Sequence, residues 1–181
     1  MTPNATEFRQ ALSQYPTGVS VVAMAVADGV SAMTVGSFMS LSLEPPLVLI
    51  CIARQARMAP TLVLGAAFSI NVLRDDQGAL STYFAGSWKE PAPPPHRFVP
   101  WNEVPRLEGV VMTVAARVTA LVDGGDHLIM MAEVGGIHLG VAPRNPLLFF
   151  DRRYQRLDQA PGEAAPELDS PQTARLFHEP W

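Results

Sequence analysis

The sequence predicts a mainly β fold, an antiparallel β-barrel with a few peripheral helices, and three observations carry that expectation. About seven short β-branched or apolar runs are spaced along the chain. Several are joined by tight polar turns, at Asp28-Gly29 and at Asp123-Gly124-Gly125-Asp126, which read as hairpins. Strands and helices do not alternate as a doubly wound parallel sheet requires, and no Gly-x-Gly-x-x-Gly follows a strand.

The elements follow in order. Asn4 or Thr6 caps a first helix with Phe8, Leu12 and Tyr15 at helical spacing, stopped by Pro16 and Gly18. Residues 19–27 form a continuous β-branched strand that folds back through Asp28-Gly29 into 30–38. Residues 47–52 are too short and too apolar for a surface helix and make a third strand. A short helix over 59–64 ends at Gly65. In 67–73, Phe68, Ile70 and Val72 alternate against Ser69 and Asn71, giving a fourth strand with one polar face. A helix over 75–84 starts at Asp75, and Asp75 and Asp76 serve its N-terminus.

From 86 to 105 the texture changes. Pro91, Pro93, Pro94, Pro95, Pro100 and Pro105 each remove an amide donor and forbid regular ladders. Trp88, Phe98 and Trp101 sit among them, so this loop packs on something, as a lid or an interface arm. A second hairpin joins 110–122 to 128–134, and 137–141 and 147–150 continue the strands. Residues 1–157 read as one domain. Residues 158–181, rich in Ala, Pro, Glu and Asp, read as a flexible tail whose end Leu176, Phe177 and Trp181 can anchor.

Composition narrows the function. The 181 residues are 48% hydrophobic and 17% charged, which is too apolar for disorder and places excess apolar surface in a pocket or a subunit interface. A homodimer is the simplest expectation. The net charge is −4 and the 13 basic residues form no stripe, which argues against nucleic acid. No apolar run approaches a membrane span, and the first residues carry no export signal. The single cysteine, Cys51, among Leu49, Ile50 and Ile52, reads as a buried thiol in a cytoplasmic protein.

One stretch carries the chemistry. Met33-Thr34-Val35-Gly36-Ser37-Phe38, Ser40, Ser42-Leu43-Glu44-Pro45-Pro46-Leu47-Val48 and the apolar strand after it set amides and hydroxyls beside an apolar wall. With Phe8-Arg9, Tyr15-Pro16-Thr17-Gly18-Val19, Phe68-Ser69-Ile70-Asn71-Val72-Leu73, Arg97-Phe98, Gly125-Asp126-His127 and Pro146-Leu147-Leu148, it resembles the flavin reductase family over residues 8–157. The resemblance implies an FMN-binding split barrel, a dimer, and reduction of FMN or FAD by NADH or NADPH for a separate monooxygenase. It implies that Met33, Thr34, Val35, Gly36 and Ser37 run along the flavin ring, with Ser40 nearby. Cys51, Ile52 and Ala53 would form the adjoining wall, Arg54 the start of the phosphate-side loop, Phe98 a further contact, and His127 the nicotinamide face; Arg57, where the family has Ser or Thr, could take over phosphate contact. Such a site needs no nucleophile, since stacking and hydride transfer ask chiefly for orientation.

Two departures stand out. Gly36 occupies a place where members of that family commonly have Asn, and arginines replace Ser or Thr between Arg54 and Met58. Plainer readings remain beside the sharp ones: Thr34, Ser37, Ser40 and Ser42 as strand-end polarity, His127 as a surface histidine, the methionines as core fillers, and Arg152, Arg153 and Arg156 as a solvated face. His127, Glu133 and His138 give no clear third metal ligand, so no metal is expected. A flavin-retaining enzyme acting on an organic substrate, or a non-catalytic flavin carrier, stays open as an alternative.

Overall fold

A computed structural model describes residues 2–143 and 145–157; the expected tail, 158–181, lies outside the described residues. Helix α1 (Ala5–Leu12) starts with a capping box: Asn4 accepts from the Thr6 and Glu7 amides, and Glu7 returns the bond to the Asn4 amide. It ends at Leu12, one turn before Tyr15, and buries none of its residues.

Seven strands then build one antiparallel sheet. They are β2 (Ser20–Val26), β3 (Gly29–Val35), β4 (Met39–Leu43), β5 (Pro46–Ala53), β6 (Ala67–Val72), β9 (Met112–Gly124) and β10 (His127–Leu139), in the spatial order β3-β2-β6-β9-β10-β5-β4. β10 runs unbroken to Leu139, so the two segments expected after the hairpin are one strand. The order puts β3 at one edge and β5 next to the other. Yet the hydroxyl of Ser37, two residues beyond β3, donates to the Cys51 carbonyl at 3.0 Å and accepts from its amide at 2.9 Å. The sheet is therefore rolled until its two ends meet. Val22, Val35, Val48, Ile50, Phe68, Ile70, Val114 and Met130 fill the interior.

The other face of β2 and β6 is covered as well, by helix α2 (Gly78–Phe84) and a hairpin of β7 (Phe98–Trp101) and β8 (Val104–Leu107). This overturns two expectations. The prolines of 86–105 do not exclude a ladder: Pro100 faces Pro105 in register. The adjoining Trp101–Val104 pair closes a two-residue turn at Asn102 and Glu103, with φ of 45° and 63°. In such a hairpin the pair next to the turn exchanges the hydrogen bonds and the next pair exchanges none, so neither proline is asked for an amide.

The second correction concerns Ser69 and Asn71, which are fully buried. Leu107 packs over that face, and Asn71 becomes a hub there. Its amide donates to the Val21 carbonyl at 3.0 Å and to Ser69 Oγ at 2.9 Å, and its oxygen accepts from the Leu107 amide at 2.9 Å and from Thr113 Oγ1 at 3.0 Å.

Smaller differences have local causes. The helix expected over 59–64 is a single 3-10 turn, Ala59–Thr61, with Pro60 in its first turn. Helix α2 begins at Gly78 rather than Asp75, because Asp76 turns back to pair with Arg74 while Gln77 supplies no side-chain cap. A third sheet, unforeseen in its first and last members, joins β1 (Thr17–Gly18), β11 (Leu148–Phe150) and β12 (Arg153–Gln155). No helix among the described residues is long and apolar enough to cross a membrane.

The Asn71 hub makes a quantitative expectation. Asn71→Leu strands buried partners on three neighbouring segments, each costing about 1–3 kcal/mol. Urea unfolding should show a loss of about 3 kcal/mol or more; a loss under about 1 kcal/mol would contradict the assignment.

Candidate active site

A cleft of 720 Å³ opens between β3, the loop after β5 and the end of α2. Val30, Ala32, Met33, Ala56, Met58, Phe84 and Ala85 line it with apolar groups, while Ser31, Thr34, Arg57 and Tyr83 add polar ones. Its size is within the range of about 300–1,000 Å³ common for nucleotide-sized and drug-sized ligands.

Met33 and Thr34 of β3 both line the cleft. The Thr34 hydroxyl donates to the Ser81 carbonyl at 2.8 Å, which ties β3 to α2. The aromatic end of α2 is braced from behind: Phe84 stands 5.0 Å from Tyr83, 5.2 Å from His96 and 5.9 Å from Phe98, ring centre to ring centre. The proline-rich segment thus packs on α2, with Trp88 Nε1 donating to the Ala92 carbonyl at 2.9 Å inside it.

The structure separates the remaining sequence-predicted residues. Val35 and Ile52 point into the sheet interior and are buried, so only their backbones can meet a ligand. Ser37 spends its hydroxyl on Cys51, whose side chain is half-buried rather than sealed. Ser40 lies on the outer strand β4 opposite Val48, outside the cleft lining. Phe98 reaches the cleft only through Phe84. Gly36 is exposed, and a β-carbon there would come 3.2 Å from Thr17 Oγ1, so β1 crowds the place where a larger side chain would start.

Arg54 is committed elsewhere. It ion-pairs with Asp123, its Nε donates to the Gly125 carbonyl at 2.8 Å, and its amide donates to the Asp126 carbonyl at 3.0 Å. These contacts pin the β9–β10 turn to the end of β5, where His127 pairs with Ala53. His127 Nδ1 lies 2.7 Å from Asp126 Oδ1, and this hydrogen bond holds the Asp126 carboxyl below its usual range. A lowered carboxyl favours the contact above the ordinary carboxylate pKa and loses it as pH falls below that value. His127 and His138 start and nearly end β10, 11 residues apart by register, so they cannot share a metal ion.

Residues of α2 were missed as site components. Tyr83 and Phe84 carried only a helix signal in sequence, and nothing local says that α2 folds against β3.

The cleft sets apolar side chains beside the Arg57 guanidinium. Residues 12–158 match the model of the flavin reductase like domain. The chain is 38% identical to the reductase component of 4-hydroxyphenylacetate 3-monooxygenase from Thermus thermophilus, covering 83% of this chain and 95% of that one. It is 35% identical to an NADH-dependent flavin reductase from Rhodococcus sp, over 83% of this chain and 85% of the relative. Its fold superposes on the native flavin reductase PheA2 with a TM-score of 0.81 at 32% identity, covering 87% of this chain and 100% of the other. The chain belongs to the flavin reductase like domain family.

Replacing Ser37 by Ala removes both bonds that close the rolled sheet. Stability should fall by about 1–3 kcal/mol in denaturant titration, and an unchanged midpoint would show that the closure rests on packing alone.

Proposed function

We propose that this chain is an NADH-dependent flavin reductase that reduces free FMN or FAD and passes the reduced flavin to a separate monooxygenase. The observation that carries the reading is the cleft between β3 and α2, in a chain of this family. Its residues fit a flavin. Met33 and Phe84 offer apolar contact to a flat ring.

Arg57 lines the cleft and makes no ion pair among the described residues, which suits a phosphate or diphosphate. Arg54 is the weaker candidate, because Asp123 and Gly125 already engage it. When bound, the flavin supplies the acceptor for a hydride from the nicotinamide. The chain's part is to hold both rings in contact and exclude water between them, which supplies much of what hydride transfer asks of a protein. His127 is the nicotinamide-side residue in this reading. If Nδ1 donates to Asp126, the neutral ring presents Nε2 as an acceptor.

The test is oxidation of NADH followed at 340 nm with excess free flavin. Many turnovers that scale with free flavin support the proposal. Flavin that stays bound through gel filtration without free-flavin turnover argues for the flavin-retaining alternative. Arg57→Gln should raise the KM for flavin about tenfold, as loss of a charge-assisted contact does. His127→Ala should raise the KM for NADH and leave flavin binding intact; unchanged kinetics would remove His127 from the site.

The working form in this reading is a homodimeric split barrel in the cytoplasm. Support comes from apolar side chains left bare on the protomer: Phe8 and Leu12 on α1, Tyr15 just after it, Met39 and Leu43 on β4, Ile137 and Leu139 on β10, and Val141 beyond it. Sedimentation should give twice the chain mass at micromolar concentration, and a monomer would refute the dimer. Cell fractionation tests the compartment.

A further inference from the structure

We infer that Tyr154, on the last strand of the described chain, is a positioning residue for the flavin cleft. Its hydroxyl fixes α2, and with it the wall from Tyr83 to Gly86. The inference rests on the flavin reductase reading of that cleft.

Ser81 is the pivot. Its carbonyl accepts the Thr34 hydroxyl at 2.8 Å, and its own Oγ accepts the Tyr154 hydroxyl at 2.9 Å. Thr82 Oγ1 lies 3.4 Å from the same phenol oxygen. Ser81 is buried, so one small residue is held from β3 on one side and from β12 on the other. Tyr154 itself does not line the cleft. Its ring lies on the start of α2, where a β-carbon at Gly78 would stand 3.5 Å from Cδ2.

α2 needs such a hold. It has seven residues, begins with glycine and lacks a side-chain N-cap, and helices that short are unstable without tertiary contacts. Tyr154 is suited to give one, because its own place is fixed. β12 pairs with β11 through a two-residue turn at Asp151 and Arg152, with φ of 46° and 59°. Phe149 packs edge-on against the ring at 5.7 Å. β11 in turn pairs with β1, whose Thr17 backs Gly36. The small sheet therefore braces the cleft at two points, behind Gly36 and behind Ser81.

Tyr154→Phe keeps the ring on Gly78 and deletes only the hydroxyl. Flavin affinity, read directly by quenching of flavin fluorescence and as KM in the NADH assay, should weaken about fivefold, as loss of one part-buried hydrogen bond does. kcat at saturating flavin and the KM for NADH should stay within about twofold of wild type. Ser81→Ala should give the same selective loss, and the double variant should be no worse than either single one, since both remove the same bond.

A lowered Tm with unchanged flavin affinity in Tyr154→Phe would make the residue a structural prop only and overturn the inference. Additive losses in the double variant would also overturn it. A wild-type protein that neither binds nor turns over flavin would sink the reading of the cleft and this inference together. Wild-type turnover with unchanged affinity in the variant sinks the inference alone.

Discussion

Rolling one sheet until its ends meet, without a continuous ladder between them, is the constraint on which this structure depends. β3 and β5 come from opposite sides of the strand order, and the Ser37 hydroxyl bridges them through the amide and carbonyl of Cys51. A hydroxyl is suited to this because it donates and accepts at once. The join lies two residues past the end of β3, so β3 itself ladders only with β2, and its residues from Val30 to Thr34 line the cleft. The gap in the sheet and the cleft are two aspects of the same arrangement.

A second consequence is that the middle of the sheet is dry on both faces. β2 and β6 carry Val22 and Ile70 inward and Val21, Ser69 and Asn71 outward. The outward side is sealed by α2, β8 and Leu147. Polar groups under such a cover must be bonded internally, and Asn71 meets that demand with four partners on β2, β6, β8 and β9. The strand that looks half polar in sequence is thus a junction between two apolar clusters.

Much of this was legible beforehand, and the physical reason is periodicity and turn chemistry. The two hairpins announced themselves through Gly29 and Gly125, which take positive φ, although the turns themselves fall at Ala27-Asp28 and Gly125-Asp126, and the apolar strand at 47–52 through its short, continuous run. Met33, Thr34 and Arg57, which line the cleft, were singled out through the resemblance to the flavin reductase family rather than by local pattern. What escaped was set by long-range contact. Asp75 and Asp76 have the composition of a helix start, but Arg74 captures Asp76 first. Pro100 and Pro105 look hostile to a ladder until each is seen opposite the other. Tyr83 and Phe84 give only a helix pattern, and their role depends on the Thr34–Ser81 bond across 47 positions of sequence. No local signal encodes such a contact.

Through Asp123, Gly125 and Asp126, Arg54 joins the end of β5 to the β9–β10 turn, so the end of β5 and the segment bearing His127 are one mechanical unit. Local opening of proteins proceeds in cooperative blocks rather than residue by residue. The amides of 51–54 and 123–127 therefore belong to a single exchange block, breathing together. Any ligand that orders one of these segments slows solvent exchange in the other, even where it touches only one of them.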